Sequence, residues 1–315
     1  MTVLRLVVIY NPVAGRRRPG FFDATLSALL RHGCTVELRE TTGPGDATRL
    51  ADTARAEGFE RIVVAGGDGT INEVVNGLAQ PGPEAPPLAV IPLGTANVLA
   101  RELGLPTKPD QLARVIAAGE AKPVALGRAG ERHFTLMAGA GFDAWVVNSV
   151  DSKLKARFGK GAYVLMSLWH ILTYRRRLYA VDIDGQPCMA ASVVVSNARH
   201  YGGPFVIAPA ADLSQPSLQV CLFEHAGRWH AIRYSVALLT GRLAKLADVR
   251  LVEGNRVRIS GREAGEPVQL DGDIVADLPC EIAVRRDVLR LVYPRFAAPD
   301  ATVAPHEGNI RRAEG

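Results

Sequence analysis

The feature that most constrains the fold is a strand that turns through glycines straight into a helix. Residues 61–65 form an apolar, β-branched run entering Gly66-Gly67-Asp68-Gly69-Thr70, and residues 71–78 follow at helical spacing with Asn72 and Glu73 in the first turn. The residues before it prepare the same arrangement. Residues 3–10 read as a buried strand, 21–31 as a helix opened by Pro19, 35–39 as a strand, and 46–55 as a helix capped by Asp46. A β-α-β-α-β order predicts a parallel sheet covered by helices. A glycine- and proline-rich loop over 80–87, a fourth strand at 88–91 and a helix at 109–118 continue it.

Beyond Pro123 the pattern changes to short strands. Asp184-Gly185 between residues 179–183 and 188–196 is a hairpin signal, and further β-like runs fall at 218–223, 257–259, 268–270, 281–284 and 288–292. The fold class expected is α/β, with an N-terminal parallel-sheet nucleotide-binding domain over 1–122 and a β-rich antiparallel sandwich domain over 123–296. Residues 297–315 are small and polar and are expected to be a disordered tail. The length of 315 residues suits two domains.

No apolar run approaches the roughly 18 residues a membrane span needs, and no signal-peptide pattern follows the first strand, so a cytoplasmic protein is expected. Cys34, Cys188, Cys221 and Cys280 lie far apart, which indicates neither a zinc cage nor a disulfide framework; they are expected to be buried packing residues. The seven histidines show no metal-ligand spacing, and His200 is read as a loop residue.

Charge is unevenly placed. Lys153, Lys155, Arg157, Lys160, Arg175, Arg176 and Arg177 stand against Asp151 alone, giving +6 in that segment of a chain whose net charge is +5, and therefore −1 elsewhere. Residues 162–174 between the clusters are apolar almost around a helix, which fits a core helix with solvated basic ends. It also fits a surface element that touches an anionic membrane peripherally, at the inner face, and Arg16, Arg17 and Arg18 are candidates for the same face. Nucleic acid is not expected as a partner, because no recognition signature surrounds the basic stretch.

At the glycine turn, a phosphate can approach the backbone and meet the amides and positive dipole of the helix start. No lysine follows, so this is not a Walker loop. Asp68 stands where it could hold magnesium directly or through water. The same pattern fits a tight strand-to-helix turn with a capping aspartate.

Taken with Asn11-Pro12-Val13-Ala14-Gly15, GGDGTINEVVNGL (66–78), PLGTANVLAR (92–101), GAGFDAWVV (139–147), Tyr201-Gly202-Gly203 and Leu270-Asp271-Gly272-Asp273, the turn resembles the diacylglycerol kinase catalytic family, which includes sphingosine and ceramide kinases. The resemblance implies ATP and Mg2+ bound between an α/β and a β-rich domain, and transfer of the γ-phosphoryl group to a lipid hydroxyl, on diacylglycerol or a related ceramide or sphingoid lipid. It implies nucleotide contacts from Asn11, Thr41, Gly66, Gly67, Asp68, Gly69, Thr70, Glu73, Gly94, Thr95 and Asn97, a metal role for Asp68, and a catalytic base at Asp273, where relatives usually carry glutamate. Asp271 is read as serving the turn.

Three positions depart from the family pattern. Val98 and Ala125 stand where bacterial members have aspartates of a magnesium-water network, and Gln215-Pro216 replaces an Asp-Gly at a structural metal site. That structural ion is not expected, and Asp143 is a substitute carboxylate that equally fits a cap. A catalytically impaired nucleotide- or lipid-binding regulator is the alternative reading. An NAD kinase, which shares GGDGT, is the weaker one, because PLGTANVLAR and the late Leu-Asp-Gly-Asp match the lipid branch.

Overall fold

A computed structural model describes residues 4–16, 18–80, 82, 84–141, 144, 177–261 and 265–295. The basic segment up to Arg176, the apolar helix expected at 162–174, Arg17, Asp143 and the tail expected at 297–315 lie outside the described residues.

The first half builds β1 (Leu4–Tyr10), α1 (Pro12–Gly15), α2 (Pro19–Arg31), β2 (Cys34–Glu40), α3 (Asp46–Arg55), β3 (Arg61–Gly66), α4 (Asp68–Leu78), β4 (Leu88–Pro92), α5 (Val98–Glu102) and α6 (Pro109–Ala118). Strands β2, β1, β3 and β4 pair in parallel in that order. Their apolar runs are continuous because both faces are covered. Leu6, Val8, Val63 and Ile91 pack against Phe22 and Leu29 of α2 and Leu112 and Ile116 of α6. The alternate residues Val7, Ile9, Ile62 and Val64 pack on the other side with Ala47, Ala51, Ile71 and Val75 of α3 and α4. Helices α3 and α4 nearly touch: a Cβ on Gly77 would stand 2.3 Å from the Thr48 carbonyl oxygen.

The second half supplies β5 (Glu120–Ala129), β6 (Arg132–Phe134), β7 (Met137–Ala140), β8 (Tyr179–Ile183), β9 (Gln186–Ala190), β10 (Ser192–Ser196), β11 (Leu218–Phe223), α7 (Arg228–Leu239), β12 (Val249–Gly254), β13 (Arg256–Ser260), β14 (Pro267–Leu270), β15 (Asp273–Asp277) and β16 (Cys280–Tyr293). Six of these form an antiparallel sheet in the order β12-β11-β10-β7-β14-β15. It faces β8, β13 and β16 across a second core that includes Val193, Val195, Val220, Val257, Ile259 and Ile282.

Several local expectations are corrected. The runs at 281–284 and 288–292 are one long strand, β16, with an irregularity in its pairing to β5 between Arg285 and Leu289. Because β16 also pairs in parallel with β4, the ten-stranded sheet runs unbroken through both halves. The run 188–196 is two strands in different sheets, which part at Ala191. Helix α7 carried too weak a one-sided pattern to be expected. Asp46 does not cap α3; the cap position is Gly45, in a left-handed conformation at φ 86°, and the Asp46 carboxylate turns back to the Thr42 amide and hydroxyl. Cys34, Cys221 and Cys280 are buried, whereas Cys188 is half-buried.

Candidate active site

The site residues of the first half follow the carboxyl ends of four neighbouring parallel strands, which is where open α/β sheets bind ligands. Asn11 follows β1, Thr41 follows β2, Gly67 follows β3 and Gly94 comes after β4. Thr41 extends the ladder, its amide donating to the Tyr10 carbonyl at 2.9 Å. Asn11 caps α1 by accepting from the Val13 and Ala14 amides, and its Nδ2 donates to Thr70 Oγ1 at 2.9 Å. One asparagine therefore fixes the glycine turn to the first loop.

The glycines of that turn are required by space. Gly67 has φ −95° and ψ −179°, which any residue adopts. A Cβ on Gly66, however, would sit 2.6 Å from Thr70 Cβ, and one on Gly94 would sit 2.6 Å from Gly67 Cα. The two glycine loops are in backbone contact, helped by a bond from the Leu93 amide to the Gly66 carbonyl at 2.9 Å. Among the described residues, no side chain caps the start of α4.

Asp68 and Glu73, both on α4, meet the starts of other helices. Asp68 Oδ1 accepts from the Val98 and Leu99 amides at 2.9 and 3.4 Å and so caps α5. Burial pushes the Asp68 carboxyl up, opposed by those amides, and the charge of Asp271 adds to the rise. Glu73 Oε2 accepts from the Ala47 amide at 3.2 Å, in the first turn of α3. Asn97 is left-handed at φ 49°, its Nδ2 donates to the Gly94 carbonyl, and its Oδ1 is buried without a hydrogen-bond partner. Thr95 is exposed in the bend between them.

From the second half comes the β14–β15 turn, with Asp271 and Gly272 at φ 48° and 91°. Successive left-handed residues make the hairpin turn that Asp-Gly favours. Asp271 does more than shape it. Its Oδ2 accepts from Asn72 Nδ2, the Thr135 amide and the Thr135 hydroxyl, and its Oδ1 accepts from the Leu136 and Met137 amides, all at 2.8 to 3.0 Å. Burial pushes this carboxyl up against the pull of those donors. Asp273, two residues on, is exposed, and its Oδ2 lies 3.7 Å from where a Cβ on Gly69 would stand. The turn thus brings a free carboxylate to the first turn of α4.

A nucleotide and a magnesium ion fit these residues. The uncapped α4 start can donate to phosphate, the contacting glycines leave room for it, and the orphaned Asn97 oxygen can accept a hydrogen bond. Magnesium is commonly held by one or two carboxylates plus phosphate oxygens, and Asp68 keeps its Oδ2 for that purpose while Asp273 lies across the turn. Among the described residues there is no group of three or more His, Cys, Asp or Glu that could hold a metal alone.

At the departures, Val98 is buried, Ala125 is buried with its carbonyl accepting from Asn197, and Gln215 closes a turn on the Asp212 carbonyl. Of the basic segment only Arg177 is described, and it is ion-paired to buried Glu266 at 2.7 Å. His200 is more than a loop residue: its ring and its amide meet Glu102 at the end of α5, tying the Tyr201-Gly202-Gly203 loop to the second glycine loop's helix.

Sequence reasoning missed Asn72, Asn76 and Thr135. Both asparagines donate to the His133 carbonyl, and Asn76 accepts the His133 amide, so α4 is stitched to β6. Two asparagines four apart inside an otherwise apolar helical face are the signal that would have found them.

Comparison with known proteins identifies the family. Residues 5–129 match the diacylglycerol kinase catalytic domain, and residues 137–293 match the YegS C-terminal NAD kinase beta sandwich-like domain. The chain is 32% identical to a diacylglycerol kinase of Bacillus subtilis over 303 residues, covering 93% of this chain and 98% of that one. A diacylglycerol kinase of Mycobacterium tuberculosis is 29% identical over 302 residues, covering 92% and 96%. A crystal structure of a diacylglycerol kinase from Bacillus anthracis superposes with a TM-score of 0.71 at 25% identity, over 93% of this chain and 97% of that one. The chain belongs to the diacylglycerol kinase catalytic-domain family and is a lipid kinase.

Proposed function

We propose that the protein transfers the γ-phosphoryl group of ATP to the hydroxyl of diacylglycerol or a closely related lipid. The observation that carries this reading is the approach of Asp273 to Gly69, which puts a free carboxylate of one half against the phosphate-binding helix start of the other. The α4 amides with Gly66, Gly67, Gly69 and Thr70 hold the phosphates, Gly94, Thr95 and Asn97 line the second nucleotide loop, and Thr41 borders the adenosine end. Asp68 would hold magnesium, which would supply charge neutralisation at the phosphates. Glu73 acts at one remove by seating α3. Asp273 takes the hydroxyl proton as the lipid oxygen attacks the γ-phosphorus in line and the bond to the bridging oxygen breaks, releasing ADP. The enzyme works peripherally, at the inner face of the membrane.

The test is radiolabelled ATP with diacylglycerol, ceramide, sphingoid and isoprenol lipids in mixed micelles. Labelled phosphatidic acid is the expected product; labelling of another lipid alone would reassign the acceptor, and labelling of none would sink the catalytic reading.

A further inference from the structure

Helix α7 is apolar on two opposite sides. Ala231, Tyr234 and Ala237 are buried, while Trp229, Val236 and Leu239 are 72%, 54% and 57% exposed. Spacings of seven and three residues, with Ile232 between, set the exposed three on one stripe. Of the eight large apolar side chains most exposed among the described residues, three are on this helix. Along the chain, the charge between Glu224 and Asp248 has one sign, and Glu224 itself is ion-paired to Arg250 at 3.4 Å. From His225 to Ala247 there is no aspartate or glutamate, while Arg228, Arg233, Arg242 and Lys245 are cationic. The Arg228 guanidinium stands 5.8 Å from the Trp229 ring centre. Asp248, just beyond, is occupied by Arg233 and by the Tyr234 hydroxyl at 2.6 Å.

We propose that α7 and the turn after it dock on an anionic phospholipid bilayer, with Trp229, Val236 and Leu239 entering the interface and Arg228, Arg242 and Lys245 meeting headgroup phosphates. Interfacial helices carry this combination of an aromatic-aliphatic stripe and flanking cations. A second copy of the chain fits poorly, because a two-fold contact would set the acid-free cationic stretch against itself. The lipid-kinase reading enters only as the reason for visiting a bilayer. The docking helix joins β11 to β12, at the opposite edge of the six-stranded sheet from β15 and Asp273, so docking can be lost without disturbing the chemistry.

The test is flotation of the full chain with phosphatidylcholine vesicles, with and without phosphatidylglycerol. Binding should require the anionic lipid and fall with salt. Trp229→Ser with Leu239→Ser should weaken it about tenfold or more, and Arg242→Gln with Lys245→Gln by about fivefold per cation. Phosphorylation of a short-chain, water-dispersed acceptor should be unchanged in both. If the serine pair melts early, Trp229→Ala alone repeats the test at a side chain that is mostly in solvent. Absence of wild-type binding, or wild-type binding by the variants, overturns the proposal. So does a dimer in sedimentation that the Trp229 variants dissociate while vesicle binding persists. Failure to phosphorylate any lipid would remove the kinase reading and leave the flotation result standing.

Discussion

Helices α3, α4 and α5 all start without a capping side chain of their own, yet two of the three starts are filled from elsewhere. Glu73 reaches the first turn of α3 and Asp68 reaches that of α5, while among the described residues no side chain caps α4, the helix that supplies both carboxylates. The uncapped start is the one that faces Asp273. An open helix N-terminus costs stability that a cap would recover, so leaving it open beside two filled ones keeps donors available for an anion. The β14–β15 turn shows the same division in miniature: Asp271 accepts five hydrogen bonds, whereas Asp273 is exposed beside the glycine turn.

The comparison breaks first at Asp273. Asp273→Asn should lower turnover by about 10² to 10⁴ while ATP affinity by calorimetry and the melting temperature stay near wild type; undiminished turnover removes it as the base. Asp271→Ala should behave oppositely, leaving five donors without an acceptor and costing on the order of 3 kcal/mol or more in urea denaturation. A stable Asp271→Ala protein would mean that these bonds exchange freely with water. Gly94→Ala drives a methyl toward Gly67 and should weaken nucleotide binding about tenfold or more, read by calorimetry, with little change in the β-rich half.

A pH scan sharpens the fixed side of the comparison. Burial holds the His133 imidazole down at about 4, so the stability this group contributes is fully present above its unfolded value near 6.5 and is lost as pH falls through 4. His133→Gln should flatten the stability profile over that window; an unchanged slope would assign it to other groups. The smallest effect is expected at Glu73→Ala, which uncaps α3 for about 1 kcal/mol and should leave turnover within a few-fold of wild type. A large loss of turnover would place Glu73 at the phosphates instead of behind them.

The first half was legible in the sequence because its strands are buried on both faces and its glycine turn leaves one local solution. Strands β1, β3 and β4 fall within a residue or so of their expected ends. The cross-helix caps were not legible, since nothing local to Asp68 or Glu73 states that the amides they serve lie 30 and 26 residues away. Helix α7 was hidden for a different reason: with apolar residues on both of its sides, the one-sided periodicity that marks a surface helix cancels. Asp271 and Asp273 were found by their turn, but the partners of Asp271 in space, Asn72 and Thr135, are separated from it by well over a hundred residues.

Strand β16 is the last strand among the described residues, and it is also the seam of the ten-stranded sheet, pairing with β5 along its length and with β13 near its start and β4 near its end. During synthesis the parallel strands emerge first, and the edge of β4 remains open while some 190 residues are still being added to reach Cys280. The ten-stranded sheet cannot be completed until that segment leaves the ribosome, whereas the six-stranded sheet has all its strands before it. The order of assembly therefore ties completion of the nucleotide-binding half to arrival of the far end of the other, so that a nascent chain stalled before β16 presents an unfinished sheet edge to chaperones and proteases.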